Sequence, residues 1–381
     1  MKSIFVLCES LNIGGAERAL YTLLKHIDKR KYDITLCVLC NTGYYSYLIK
    51  EINGIKYIPI LTPIEKGFKG VIYRLKYNLL YKYLSSKLIY KLFLHNKADV
   101  EIAFCEGFST KIIASSSNKN SKKIAWVHTD LLHNNWPLHN GIYKNIIEEL
   151  ESYSMFDSII GVSNSVTNNL KKLLTEKAII HTLYNLIDEQ DISNNENESI
   201  DYIYNNNSIN LISVGRLEYV KGYDRLINVC SKLINKDKFN ITLTIVGNGS
   251  QYNNLSYLID ELNTSSTIKL LGIKENPYPY IKNADLYVCP SRDEGYNIAL
   301  AEAIILGLPC VATNCSGPDE ILNNGQYGCL VDNNEEALYL CLKELIYNPN
   351  KLHQLKLLSN QRKTFFDLNK NISQIESVLD E

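Results

Sequence analysis

Leu211-Ile212-Ser213-Val214-Gly215-Arg216-Leu217-Glu218-Tyr219-Val220-Lys221-Gly222 is the stretch that decides the fold. A short apolar run ends in a glycine, a charged loop follows, and a helix opens at the second glycine. A strand feeding a helix in this way is the repeating unit of a parallel sheet covered on both faces. The unit recurs throughout the chain. In the front half, strands are predicted near residues 4–8, 34–40, 56–60, 100–104, 123–127, 159–162 and 179–183, with helices between them. A second series follows, with strands near 211–214, 241–246, 267–271, 286–289 and 309–312.

Between the two series the chain turns polar. Asn194, Asn195, Asn197, Asn205, Asn206 and Asn207 favour turns and offer little to bury, so 189–209 reads as a surface linker. At about 150 residues per domain, 381 residues with 45% hydrophobic content suit two domains. The predicted class is α/β, with doubly wound Rossmann-like domains over 1–188 and 210–365 facing each other across a cleft. A C-terminal helix over 366–381 is expected to pack back on the first domain. Ligands of such sheets sit at the carboxyl ends of strands, so motifs should cluster there.

The formal net charge of -1 argues against a nucleic-acid binder, whose affinity would come from neutralising phosphates. Residues 1–185 carry 24 Lys and Arg against 15 Asp and Glu, and residues 186–381 carry 16 against 26, so a basic front half adjoins an acidic back half. The ten cysteines are scattered through apolar runs, and Met1 to Cys8 reads as a strand rather than a leader, which implies a reduced, cytoplasmic setting. Cys37 and Cys40 fit alternate faces of a core strand better than a redox pair. No run approaches the roughly 18 apolar residues that span a bilayer, so any membrane contact should be peripheral.

Three motifs stand after predicted strands. Gly14 and Gly15, followed by Ala16-Glu17-Arg18, make a turn into a helix over 16–27, where backbone N–H groups can approach an anion. A dinucleotide fold would require G-x-G-x-x-G there and an acid closing the second strand, whereas this chain has Gly14-Gly15 and Asn41. Arg216 and Lys221, five residues apart, can grip a diphosphate as a fork and a point charge without metal. No Asp-x-Asp triplet of the kind that holds a divalent ion against a diphosphate is present. Downstream runs Pro290-Ser291-Arg292-Asp293-Glu294-Gly295-Tyr296-Asn297-Ile298. Here Gly295 permits close backbone approach, and a helix N-terminus near Tyr296, Asn297 and Ile298 offers free N–H groups to phosphate or sugar oxygens. Glu302 lies inside that helix and tilts toward its start, where a carboxylate suits ribose hydroxyls.

Together with the Gly247-Asn248-Gly249 turn, these motifs resemble the retaining glycosyltransferases of family 4, which have the GT-B fold; the resemblance spans nearly the whole chain. It implies that Arg216 and Lys221 bind a donor diphosphate and Glu302 the ribose. Glu294 and the amides of Tyr296, Asn297 and Ile298 would take the donor sugar and phosphate, and Gly15 the diphosphate from the opposite domain. It also implies a sugar-contacting histidine after a front-domain strand, where His128 stands in Trp126-Val127-His128-Thr129-Asp130, and backbone contacts to the base around Gly272 and Ile273. Ser316-Gly317-Pro318-Asp319-Glu320 departs from the family's Gly-Gly-x-x-Glu at Ser316 and keeps Gly317 and Glu320 in register.

Residues 66–97 hold eight Lys or Arg (Lys66, Lys69, Arg74, Lys76, Lys82, Lys87, Lys91, Lys97) and no acid, interleaved with Tyr and Leu. Such a surface fits an anionic bilayer and a pyrophosphate-linked lipid acceptor. The expected activity is metal-independent, cofactor-free transfer of a sugar, retaining its anomeric configuration, from a nucleoside-diphosphate donor, UDP-linked, to a saccharide or lipid-linked saccharide in surface polysaccharide synthesis. Catalysis would rest on Glu294, His128, Arg216 and Lys221. The rival readings are a catalytically weak binding subunit of the same fold, a nicotinamide oxidoreductase that lacks its fingerprint, and a sugar-nucleotide epimerase.

Overall fold

The computed structural model describes residues 1–64, 67–174 and 178–381; Lys66 of the basic stretch lies outside them. The chain divides into two units, Met1–Leu186 with Asn369–Glu381, and Ile187–Leu368.

The first unit carries β1 (Lys2–Cys8), β2 (Tyr32–Cys40), β3 (Ile55–Leu61), β4 (Val100–Ala103), β5 (Lys122–Val127), β6 (Ser158–Gly161) and β7 (Ile179–Thr182). They form one sheet in the order β3-β2-β1-β4-β5-β6-β7, every pair parallel. Central strands such as β4 are buried throughout, which is why they read as unbroken apolar runs, whereas the edge strand β7 is half-exposed. The second unit carries β8 (Ile209–Val214), β9 (Ile241–Val246), β10 (Ile268–Leu270), β11 (Leu286–Cys289), β12 (Cys310–Thr313) and β13 (Cys329–Val331), in the parallel order β10-β9-β8-β11-β12-β13. Leu226, Ile227, Cys230 and Leu233 on one face of the helix Tyr223–Asn235 pack into its core with Leu211 and Leu243. Each such side chain contributes roughly 1.5–3 kcal/mol on burial. Each unit has one place where neighbouring strands send the chain in opposite directions: between β1 and β4, and between β8 and β11.

Every strand read from sequence is present, with ends within two residues. β13 escaped notice because three half-buried residues at a sheet edge carry little apolar signal. The larger difference is the Asn-rich stretch. Instead of a linker it begins with the helix Glu189–Asn195, capped by Asp188, and its chain is tied along the second unit. Ile192 is buried, the Tyr204 hydroxyl donates to the Tyr280 carbonyl at 2.8 Å, and Lys282 pairs with Glu196 at 2.8 Å. The asparagines make surface hydrogen bonds, such as Asn195 Nδ2 to the Asp191 carbonyl at 2.8 Å and Lys282 Nζ to Asn197 Oδ1 at 2.7 Å, while the few apolar residues among them dock the segment. At the other end, the helix Leu368–Asp380 returns to the first unit. Ile372, Ile375, Val378 and Leu379 are buried, and Lys2 and Lys122 donate to the Leu379 and Val378 carbonyls at 2.6 and 2.7 Å, where the helix's negative end favours cations.

The basic segment is no single helix. Gly67–Asn78 and Ser86–Ile89 are helical, and Leu79–Tyr83 and Tyr90–Leu94 are wider π turns. Glu101 on β4, fully buried, anchors it: its carboxylate accepts from Tyr90, Asn96, Ser116 and Ser121. Glu101→Ala removes the acceptor shared by four donors, of which only Asn96 and Ser121 keep another, so urea unfolding should show a loss of about 3 kcal/mol, with Glu101→Gln losing less. Equal stability of both variants and wild type would contradict this account. All ten cysteines are free thiols, and burial pushes Cys37 up to about 12, as a core position predicts.

Candidate active site

The loop after β8 reaches its geometry through Gly222. This residue has φ +68°, and a Cβ there would fall 2.1 Å from the Pro290 carbonyl oxygen, so only glycine lets the β8 and β11 loops touch. Arg292 braces the contact. Its guanidinium clasps Asp224 at 2.6 and 2.7 Å, donates to the Tyr219 carbonyl at 2.8 Å and lies 4.0 Å over the Tyr219 ring. Arg292's own N–H donates to the Val220 carbonyl at 2.7 Å, completing the tie between the loops.

Lys221 is thereby aimed at Glu294. Its Nζ lies 2.7 Å from both carboxylate oxygens, and Ser291 Oγ at 2.7 Å and Asn297 Nδ2 at 2.9 Å complete the donors to Oε1. The Glu294 side chain is 5% exposed and the Lys221 side chain 20%, so the pair is shielded from water on the carboxylate side. Asn297 also shapes the backbone, because its Oδ1 accepts from the Leu300 N–H at 2.8 Å and caps the helix Ile298–Ile305. Tyr296 and Ile298 are buried around this helix start, and Glu302, 2% exposed, lies one turn further in. Gly317, with φ +93°, packs on the Gly295–Tyr296 backbone, where a Cβ would come 2.8 Å from the Gly295 carbonyl oxygen. The neighbouring Ser316 therefore leaves that turn intact.

Arg216 behaves differently from Lys221. It is exposed and makes no side-chain hydrogen bond or ion pair among the described residues. Glu218, two residues on, is bonded by Ser250; burial works to raise the pKa of its carboxyl, but these bonds and the Arg216 charge hold it below its ordinary range. The expected two-sided cationic grip is thus one free guanidinium and one lysine already engaged by a carboxylate. Gly272 and Ile273 stand after β10 on the same carboxyl edge, Gly272 in the left-handed region and Ile273 52% exposed.

In the first unit, Gly14 precedes the helix Gly15–His26. Its backbone is extended, and the nearest atoms to a Cβ there are the far end of the flexible Glu17 side chain, at 2.3 Å, which can give way, so neither conformation nor packing demands glycine at this position. His128 follows β5. Its backbone N–H donates to Glu106 Oε2 at 2.9 Å, while Trp136 Nε1 donates to the other oxygen at 2.9 Å. The ring lies 5.1 Å from Phe104 and stacks at 6.3 Å on Trp126, and neither ring nitrogen makes a well-formed hydrogen bond although both are buried. Burial pushes its pKa down, and the nearby Glu106 carboxylate and Phe104 carbonyl oppose this. Asp130, two residues on, is fully buried and bonded by Asn169 at 2.8 Å and His133 at 2.9 Å, which makes it an anchor of the loop rather than a ligand group.

Lys221, Glu294 and Asn297 are brought into contact, Glu302 into the same helix, and Arg216 to the same edge of the sheet. Gly14, Gly15 and His128 belong to the first unit. Sequence reasoning missed Ser291, the Asn297 side chain, the Arg292–Asp224 brace and Glu106. Ser291 and Asn297 flank Glu294 at three residues on either side, a spacing visible in the sequence, whereas Glu106, three residues past β4, carries no such signal.

Residues 13–191 match the family described as Glycosyltransferase Family 4, and residues 194–362 that described as Glycosyl transferases group 1. The chain is a family 4-like glycosyltransferase of GT-B fold. Among its relatives, this glycosyltransferase is 27% identical over 375 residues, 96% of each chain, to the N-acetylgalactosamine-N,N'-diacetylbacillosaminyl-diphospho-undecaprenol 4-alpha-N-acetylgalactosaminyltransferase of Campylobacter jejuni. It is 31% identical over 217 residues, 54% of this chain and 51% of the relative, to an uncharacterized glycosyltransferase of Methanocaldococcus jannaschii. A crystal structure of Anabaena HepE in complex with UDP and glucose superposes over the whole of both chains with a TM-score of 0.76 at 18% identity, a likeness of fold. With this fold and family, the oxidoreductase reading falls away.

Proposed function

We propose that this glycosyltransferase moves a sugar from a UDP-linked donor to a lipid-linked saccharide, with retention of anomeric configuration and without a metal ion. The observation that carries this reading is the buried Lys221–Glu294 pair, set between β8 and β11 with the free Arg216 and the capped start of Ile298–Ile305 on the same edge. As the glycosidic bond to the diphosphate breaks, negative charge builds on the leaving oxygen and positive charge on the anomeric carbon. Arg216, the remaining N–H of Lys221 and the helix N–H groups stabilise the former; the Glu294 carboxylate lies where it can favour the latter. In a front-face displacement the acceptor hydroxyl forms the new bond to the anomeric carbon on the face the diphosphate leaves. Its proton passes to the departing phosphate oxygen, so no protein base is needed. Glu302 is assigned to the ribose hydroxyls and Gly272 and Ile273 to the base. The name of the Campylobacter relative, with its diphospho-undecaprenol acceptor, and the UDP in the HepE complex support the choice of acceptor and donor. The test is a panel of nucleoside diphosphate sugars, each with and without chelator, scored for nucleotide release and for the product's anomeric signal by NMR. An inverted product, or turnover abolished by chelation, would refute the corresponding part.

A peripheral place on the cytoplasmic leaflet fits the basic segment. No helix among the described residues is long and apolar enough to cross a membrane. On the segment, Leu75 is 64% exposed, Tyr83 76% and Leu92 59%, among exposed Lys82, Lys87 and Lys91. Each lysine near an anionic surface is worth about 1 kcal/mol, so Lys82→Gln/Lys87→Gln/Lys91→Gln should weaken binding to phosphatidylserine liposomes roughly 100-fold. Unchanged cosedimentation would sink this part.

A further inference from the structure

The first unit holds a cluster that the donor chemistry does not use. Tyr73, Tyr77 and Tyr81 recur every four residues, which places them on one face of the segment that begins with the helix Gly67–Asn78. Their ring centroids step from Tyr73 to Tyr77 over 6.1 Å and from Tyr77 to Tyr81 over 4.5 Å, and Tyr81 stacks on Phe108 at 4.8 Å with an interplanar angle of 20°. The ladder lies along the carboxyl edge of the sheet. The Tyr73 hydroxyl is 3.6 Å from Cys40 Sγ at the end of β2, and the Tyr81 hydroxyl lies close enough to Glu9, the residue that follows β1, to lower the pKa of its carboxyl. Glu9 is half-buried, and burial outweighs the hydroxyl and raises that pKa.

We infer that Glu9, Tyr77, Tyr81 and Phe108 form a saccharide subsite for the acceptor, resting on the glycosyl-transfer reading above. Sugars present apolar C–H faces and rims of paired hydroxyls, and the chemistry that recognises them is a wall of aromatic faces beside a carboxyl group. Both are here, at the switch between β1 and β4, where the open sheet leaves a crevice. A ladder that only packed the segment onto the sheet would bury its middle ring. Tyr77, the middle ring, is 38% exposed. Among the described residues Glu9 meets one side-chain donor, Tyr81, so a carboxyl oxygen is left over at a strand end where packing alone would favour an apolar residue. The same segment carries the exposed Leu75 and Tyr83, so one stretch of chain can face a bilayer on one side and hold a lipid-borne sugar on the other.

The probes are the methyl α-glycosides of glucose, galactose, N-acetylglucosamine and N-acetylgalactosamine, followed by saturation-transfer NMR on the full chain, with UDP binding followed separately by calorimetry. At least one glycoside should bind wild type, and Tyr77→Ala should weaken it at least tenfold and Glu9→Gln at least fivefold. Tyr47→Ala, which removes another exposed tyrosine of the same unit, should leave it unchanged, and all variants should bind UDP within twofold of wild type. Equal glycoside binding by wild type, Tyr77→Ala and Glu9→Gln overturns the inference, as does a protein that binds UDP but none of the four glycosides. Failure of wild type to bind UDP counts instead against the donor reading, and the glycoside comparison still stands or falls by itself.

Discussion

Lys221→Met is expected to lower kcat by roughly 10²–10³-fold, the loss seen when one preorganised donor to a developing negative charge is removed. Two effects must be separated, because Lys221 does not wait unpaired for a ligand. Both Glu294 oxygens are bonded to it, so removing it strands a buried carboxylate with only Ser291 and Asn297 as donors. Breaking a buried pair from one side costs up to about 3–5 kcal/mol, less here because the lysine is partly open to water. A fall in activity could then reflect a damaged loop. The double variant Lys221→Met/Glu294→Gln resolves this: it removes both charges, should recover most of the lost stability, and should stay as inactive as the single variant. Arg216→Ala supplies the complementary case. Its guanidinium is exposed and makes no side-chain bond among the described residues, so stability should move by no more than about 0.5 kcal/mol while turnover falls roughly 100-fold. Near-normal turnover in Lys221→Met and Arg216→Ala would remove the cationic cradle from the mechanism.

Much of this architecture is legible in the sequence. Parallel strands buried on both faces are written as short runs of Ile, Val and Leu, and both sheets can be traced that way. Gly222 and Gly317 can be marked as turn residues because a side chain is excluded where two loops touch. Pairing across long separations cannot be read in the same manner. Lys221 and Glu294 lie 73 residues apart and meet because β8 and β11 are neighbours in the sheet, an order that periodicity does not encode. The Asn-rich stretch misleads for a related reason. Its composition reports solvent on one side, but Ile192 and Tyr204, few enough to be lost in a window average, fasten it to the second unit. Glu106 is missed because a buried acid holding a backbone N–H and an indole leaves the same trace in a sequence as a solvated one.

His128 supplies the second large effect, and here the sign with pH can be worked out. Its ring nitrogens are buried without well-formed bonds, and under the proposed function a sugar hydroxyl would satisfy one of them. His128→Ala should therefore lower kcat about 10–100-fold, the range for a lost buried hydrogen bond in the reacting complex. Burial pushes the ring's pKa below its ordinary value near 6.5, so the folded ring is neutral at neutral pH. Above that value both folded and unfolded chains are unprotonated and the ring adds no pH dependence. As pH falls through about 6.5 the unfolded chain takes up the proton first, so stability declines until the folded ring protonates as well. His181, also pushed down by burial, adds a similar slope, so the comparison must be between wild type and His128→Asn with His181 present in both. Urea unfolding at about pH 7.5 and about pH 5.5 should show a smaller acid loss in the variant than in wild type, and the acid limb of kcat/KM should move with it. The variant still has Glu106 to hold the backbone of the turn, since that bond comes from the residue's N–H and not its ring. If turnover survives in His128→Asn and the two stability slopes coincide, the ring is packing between Phe104 and Trp126 and nothing more.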